Sequence, residues 1–181
     1  MIIHKELTGA TPEEFELAVK GILDAAAKTL VNYESAHLER LEGSDGDYVL
    51  DVVARFEALG AEFVVLVECK HQGRKVERHE VQVLHAKLQS LGAQKGMLFS
   101  TAGFQSGAIE YADAHGIALV RLADGESAWM TRSDGPAPPP PSWARLPPYI
   151  GWWYHGPRMS LMSSDFAEFT RQALGLDRPG A

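Results

Sequence analysis

Two short stretches carry residues that could act on a phosphodiester. Ala61–Lys70 is an apolar, β-branched run that ends in Glu68-Cys69-Lys70. Side chains alternate along a strand, so Glu68 and Lys70 project from one face while Cys69 turns to the other. An acid and an amine at the end of a buried strand cost desolvation energy and are seldom placed there for stability alone. Just upstream, Tyr48–Phe56 forms a second apolar run with one acid, Asp51, in its middle. Carboxylates are hard oxygen donors for a divalent cation, and a nearby lysine can position water or offset developing charge. Asp51 followed by Glu68-x-Lys70 is therefore the minimal set for metal-assisted phosphodiester cleavage.

The elements must bring these residues together. Leu59-Gly60 between the two runs reads as a two-residue hairpin loop. Ala58 then faces Ala61 and, counting outward, Asp51 falls opposite Glu68. Opposed residues share a face, with Cβ atoms roughly 4.5–5.5 Å apart, which one metal ion can bridge.

Around the pair, Thr11-Pro12-Glu13-Glu14 is a helix start, with apolar spacing from Phe15 through Ala26 to about Leu30. Glu34–Leu41 alternates like an edge strand. Glu77–Leu91 places Val81, Leu84, Leu88 and Leu91 on one helical stripe. Gly96–Ser100 is a short buried strand, Phe104–His115 a helix and Ile117–Leu122 a further strand. The expected order is αβββαβαβ: an antiparallel meander followed by a crossover, hence a mixed α/β sheet flanked by helices.

Composition narrows the setting. The chain has 181 residues, 45% of them hydrophobic, enough for one core with an appendage. One cysteine, no signal-like N-terminus and no long apolar run predict a reduced, cytoplasmic protein without a membrane partner. A formal charge of -7 weighs against a broad nucleic-acid footprint, although acids gathered at a metal site bias that count. The expected organisation is a nuclease-like domain over 1–123, a Pro-rich linker over 124–148 that contains Pro136–Pro141, and a Trp-rich segment over 149–181 with a short helix from Ser164 to Leu174. That last segment could fold back on the core, contact a second copy of the chain, or stack on bases.

These residues resemble the PD-(D/E)xK nuclease superfamily, and more narrowly the catalytic domain of Mrr-type (type IV) restriction endonucleases. The resemblance runs from about Pro12 to Leu122. It is carried by Glu14-Phe15-Glu16, Gly46–Ala54 with Asp51, Val67-Glu68-Cys69-Lys70-His71, Gly92–Phe104, and Ala108–Ala112 with Gly116-Ile117. Many members open the strand motif with Asp-Gly-Gly-Ile-Asp, whereas Tyr48 and Val49 stand at the two glycine positions here. The resemblance implies Mg²⁺-dependent DNA cleavage (with Mn²⁺ as a substitute). Asp51, Glu68 and the Cys69 backbone carbonyl would bind the ion, Lys70 would handle the attacking water, and Glu16 would complete the site from the first helix. Gln82 is a candidate second-helix contributor.

Other polar residues are open to blander readings. Arg74, Lys75 and Arg78 are the best local basic cluster for a DNA backbone, though such runs are commonly just solvated. Ser100 and Thr101 could contact phosphate or simply cap the helix that follows. Cys69, His71, His79 and His85 match no zinc-finger or ribbon spacing. Two functions of different class follow: a restriction-type DNA endonuclease, or a catalytically silent binding or assembly module on the same fold that acts through a protein partner.

Overall fold

In the computed structural model, residues 10–124, 149–155, 158–163 and 167–177 are described. Helix α1 spans Pro12–Ala26, followed by strands β1 (Val31–Gly43), β2 (Gly46–Ala58) and β3 (Ala61–Lys70). Then come α2 (Arg78–Leu91), β4 (Lys95–Ser100), α3 (Ser106–Ala114), β5 (Ala118–Asp124), β6 (Tyr149–His155), β7 (Arg158–Ser163) and α4 (Glu168–Ala173). The expected αβββαβαβ order holds through β5. The segment 149–163 adds two further strands to the same sheet, and the Pro-rich run at 136–141 lies outside the described residues.

The strands run in sequence order across one seven-stranded sheet. β3, β4 and β5 are parallel, and the other neighbours are antiparallel. Both faces are covered, as a sheet with parallel central strands requires. On one face α1 and α4 pack Phe15, Val19, Leu23 and Ala173 against Val65, Val67, Phe99, Val120 and Trp153. On the other, α2 and α3 pack Val81, Leu84, Leu88, Ala108 and Ala112 against Leu50, Val53, Leu66, Leu98 and Leu119. The helix stripes were readable because their 3.6-residue spacing meets strands whose faces alternate.

Local chemistry sets the ends of the elements. The Thr11 hydroxyl accepts from the Glu14 N–H at 3.2 Å while Glu14 accepts from the Thr11 N–H at 2.6 Å, a reciprocal capping box that starts α1. Thr11→Ala should lower stability by about 1 kcal/mol, seen as a lower urea midpoint at constant m-value. α1 ends at Ala26, short of Leu30, with Ala27 as its C-cap. α3 begins two residues after Phe104, because Phe104 forms a bridge with Val76 beside β4. At Gly96 a Cβ would lie 2.7 Å from Leu88 Cδ1, so this glycine lets α2 press closely onto β4.

Candidate active site

The hairpin forms in the expected register. Ala58 faces Ala61 and the β2–β3 ladder runs back to Val52 opposite Val67. One step further is Asp51 across from Glu68, but the ladder stops before it. The β1–β2 ladder likewise passes from His37–Val52 to Glu39–Leu50 and omits the Leu38–Asp51 position, where Leu38 takes φ 54°. Leu50 and Val53 face the α2 side while Val52 and Ala54 face α1, so the alternation breaks at Asp51. Released from both ladders, the Asp51 carboxylate turns to β3 and accepts the Cys69 N–H at 2.6 Å. Asp51 and Glu68 are thus brought together at the end of β3 by a bend, not as a regular cross-strand pair.

Glu68 and Lys70 share a face, with Lys70 Nζ 3.8 Å from Glu68 Oε2. Cys69 turns the other way and packs beside the α1 core. Glu16 reaches the site from α1, and its carboxylate accepts from His37 Nε2 at 2.6 Å. Burial pushes the Asp51 carboxyl above its usual range, and the charges of Glu68 and Glu16 add to that against the Cys69 N–H and Lys70. The Cys69 thiol is pushed up by burial and by the same three acids. Two neighbouring carboxylates, Glu68 and Glu16, therefore bear on Asp51 at the end of β3.

Sequence reasoning missed two partners. The Lys87 ammonium, from α2, donates to Glu68 Oε1, and the two side chains are only 17% and 11% exposed. A visible signal existed: Lys87 follows Leu84 by three residues and precedes Leu91 by four, which puts it on the sheet-facing flank of the helix. His37 was the other omission, set opposite Val52 by the β1 register.

The remaining candidates are placed as follows. Ser100 is fully buried and its hydroxyl accepts the Ala102 N–H at 3.1 Å. Thr101 is also buried; its hydroxyl donates to the Gln72 carbonyl at 2.9 Å and accepts the Gln72 N–H at 3.0 Å. Both hydroxyls tie down loops and present no free face to a phosphate. Arg74 is exposed and paired with Glu80 at 2.9 Å. Arg78 lies with its guanidinium 5.2 Å from the Tyr111 ring centre. Lys75 and Gln82 are exposed. His85 bonds the Tyr111 hydroxyl at 2.8 Å and His79 lies 3.4 Å from Glu77, away from Cys69.

Residues 7–127 match the profile of the Mrr catalytic-domain family, described as restriction endonuclease. The chain belongs to the Mrr-type restriction endonuclease family. Within it, the chain is 32% identical over 125 residues to the type IV methyl-directed restriction enzyme EcoKMrr of Escherichia coli (strain K12), a match covering 68% of this chain and 38% of that protein. The Mrr-type chain thus spans well under half the length of that relative. Two solved structures are similar at 20% identity. The first is a protein of unknown function, AF1548, at TM-score 0.48, covering 59% of this chain and 55% of that one. The second is the DNA modification-dependent restriction endonuclease AspBHI, at TM-score 0.37, covering 64% and 34%. No described helix of this Mrr-type chain is long and apolar enough to cross a membrane.

The donors at the end of β3 suit a hard divalent cation. Asp51, Glu68 and the Cys69 carbonyl are all oxygen, and Mg²⁺ commonly uses one or two carboxylates and keeps several waters. Among the described residues no three His, Cys, Asp or Glu side chains gather closely enough to hold a metal ion between them. The crowding of Asp51 by Glu68 and Glu16 gives an incoming cation a reason to bind there.

Proposed function

We propose that this chain is a metal-dependent endodeoxyribonuclease of restriction type, with Asp51, Glu68 and Lys70 as its active site. The observation that carries this reading is the turn of Asp51 out of its ladders and onto the Cys69 N–H, which brings a second acid to the Glu-x-Lys end of β3. Asp51, Glu68 and the Cys69 carbonyl would hold Mg²⁺ or Mn²⁺, which supplies Lewis-acid polarisation of the phosphate and of water. Lys70, 3.8 Å from Glu68 and about one-third exposed, orients the attacking water and offsets the charge that develops on the phosphate. Water attacks phosphorus in line and gives up its proton to solvent, a new P–O bond forms as one ester P–O bond breaks, and the leaving alkoxide takes a proton from solvent. Glu16, braced by His37, adds negative charge from the α1 side. Lys75, Arg78 and Gln82, exposed just beyond β3, would meet the DNA backbone.

A second reading is a silent nuclease-fold module that binds a protein partner. It is favoured by the net charge of -7 and by the engagement of Glu68 with Lys87. Supercoiled plasmid incubated with Mg²⁺ or Mn²⁺ separates the two. The expected result is metal-dependent nicking, abolished by EDTA and lowered roughly 100-fold or more by Lys70→Ala. Cleavage that survives both Lys70→Ala and Asp51→Ala sinks the assigned site, and the absence of both metal binding and cleavage in the wild type favours the module.

A further inference from the structure

Lys87 stands out among the side chains that the cleavage reading leaves without a task. It lies on the side of α2 that faces the sheet, and its side chain is only 17% exposed. A lysine so placed loses hydration, and this one regains it through Glu68 Oε1. Lys70 lies at 3.8 Å from the other oxygen, so the two lysines divide the carboxylate between them. A second contact fixes the lysine itself: the Tyr48 ring centre is 5.9 Å from its Nζ, and the Tyr48 hydroxyl is anchored to Asp45 at 2.9 Å. Tyr48 stands at a position where the resembling motif usually carries glycine. The approach of α2 to β4 over Gly96 brings Lys87 within reach.

We infer that Lys87 is a positioning residue for the nuclease site: held by Tyr48, it fixes Glu68 Oε1 and thereby presents Oε2 toward Lys70 and Asp51. This rests on the reading of Asp51, Glu68 and Lys70 as the active site. A carboxylate fixed by one oxygen keeps a single orientation for the other, and small misplacements of such groups cost turnover more than substrate binding. The ammonium also sits beside a place where a divalent cation would bind, so it opposes that cation by like charge. Lys87 therefore trades metal affinity for a fixed carboxylate.

The test compares wild type, Lys87→Gln and Lys87→Arg in plasmid cleavage, with Mn²⁺ binding measured by calorimetry in the absence of DNA. Lys87→Gln should lower kcat about 30-fold and leave KM within about two-fold. It should also bind Mn²⁺ about five-fold more tightly, since a neighbouring positive charge is gone. Lys87→Arg should restore kcat to within about five-fold of wild type, because its fork keeps both charge and reach. Wild-type kcat in Lys87→Gln, a rise in KM alone, or weakened Mn²⁺ binding overturns the inference. Should Lys87→Gln not fold, the Lys87 Nζ nuclear magnetic resonance signal of the wild type decides: a shift on adding Mg²⁺ supports the role, and an unmoved signal refutes it. Asp51→Asn is run alongside. Cleavage surviving Asp51→Asn refutes the active-site reading, whereas cleavage lost there but intact in Lys87→Gln refutes only the role of Lys87.

Discussion

Asp51→Asn should leave a folded protein whose DNA cleavage is slower by about three orders of magnitude, equivalent to about 4 kcal/mol of transition-state stabilisation. The substitution keeps size and shape, and the amide oxygen can still accept the Cys69 N–H now bonded to the carboxylate at 2.6 Å. What it removes is the charge that would hold the cation. The same change should raise stability at neutral pH without added metal. Burial, then Glu68 and Glu16, raise the Asp51 carboxyl above its unfolded value, so the folded state disfavours its ionised form. For an acid shifted upward, the favourable contribution is present below the unfolded pKa and is lost as pH rises through the folded one. The Asn variant should therefore melt higher than wild type at pH 7, and the gap should close as pH falls below the ordinary carboxylate range. Thermal melts across pH, paired with plasmid cleavage, measure both halves; equal melting at every pH would mean that no such penalty acts on Asp51.

Trp153→Ala should cost about 3–5 kcal/mol and lower the melting temperature of the whole sheet in one transition. Trp153 lies in β6 opposite Val120, is only 9% exposed, and belongs to the same apolar cluster as Phe15, Phe99 and Val67. Truncation would open a cavity between the sheet and the elements on the α1 face. Because β6 and β7 join the sheet that carries β3, loss of this side chain should be felt as far as α1. Two separate melting transitions in the wild type, with only the lower one moved by Trp153→Ala, would show that β6 and β7 unfold independently.

Much of the site was legible because its geometry is local. The two-residue loop at Leu59-Gly60 fixes the β2–β3 register, and counting from it relates Asp51 to Glu68 without knowledge of any other element. Strand alternation separates Cys69 from its neighbours for the same reason. The bend at Asp51 was not legible, since it depends on Leu38 across the sheet adopting a positive φ that no composition signal marks. Lys87 was passed over because a charged residue beside a helical apolar stripe reads as solvated. Its partner lies 19 residues away and is set by how α2 crosses β3. Ser100 and Thr101 show the reverse failing: their types suit phosphate contact, but burial directs both hydroxyls to backbone groups of the protein. The sheet position of β6 was hidden by the long stretch that separates it from β5.

The hairpin tip constrains this chain in an unusual currency. Leu59 and Gly60 both take positive φ, 54° and 75°, and Leu59 is fully exposed, so neither side chain supports the core. Packing therefore makes no demand on them, while the positive φ does: it favours glycine at Gly60, and asparagine would suit the turn better than Leu59. Their number matters more. A single inserted or deleted residue would slide β2 along β3, exchange the faces of its side chains and carry Asp51 away from Glu68, while every functional residue remained in the sequence. The tip works as a molecular ruler: its length, more than the side chain at Leu59, sets whether the proposed site can assemble.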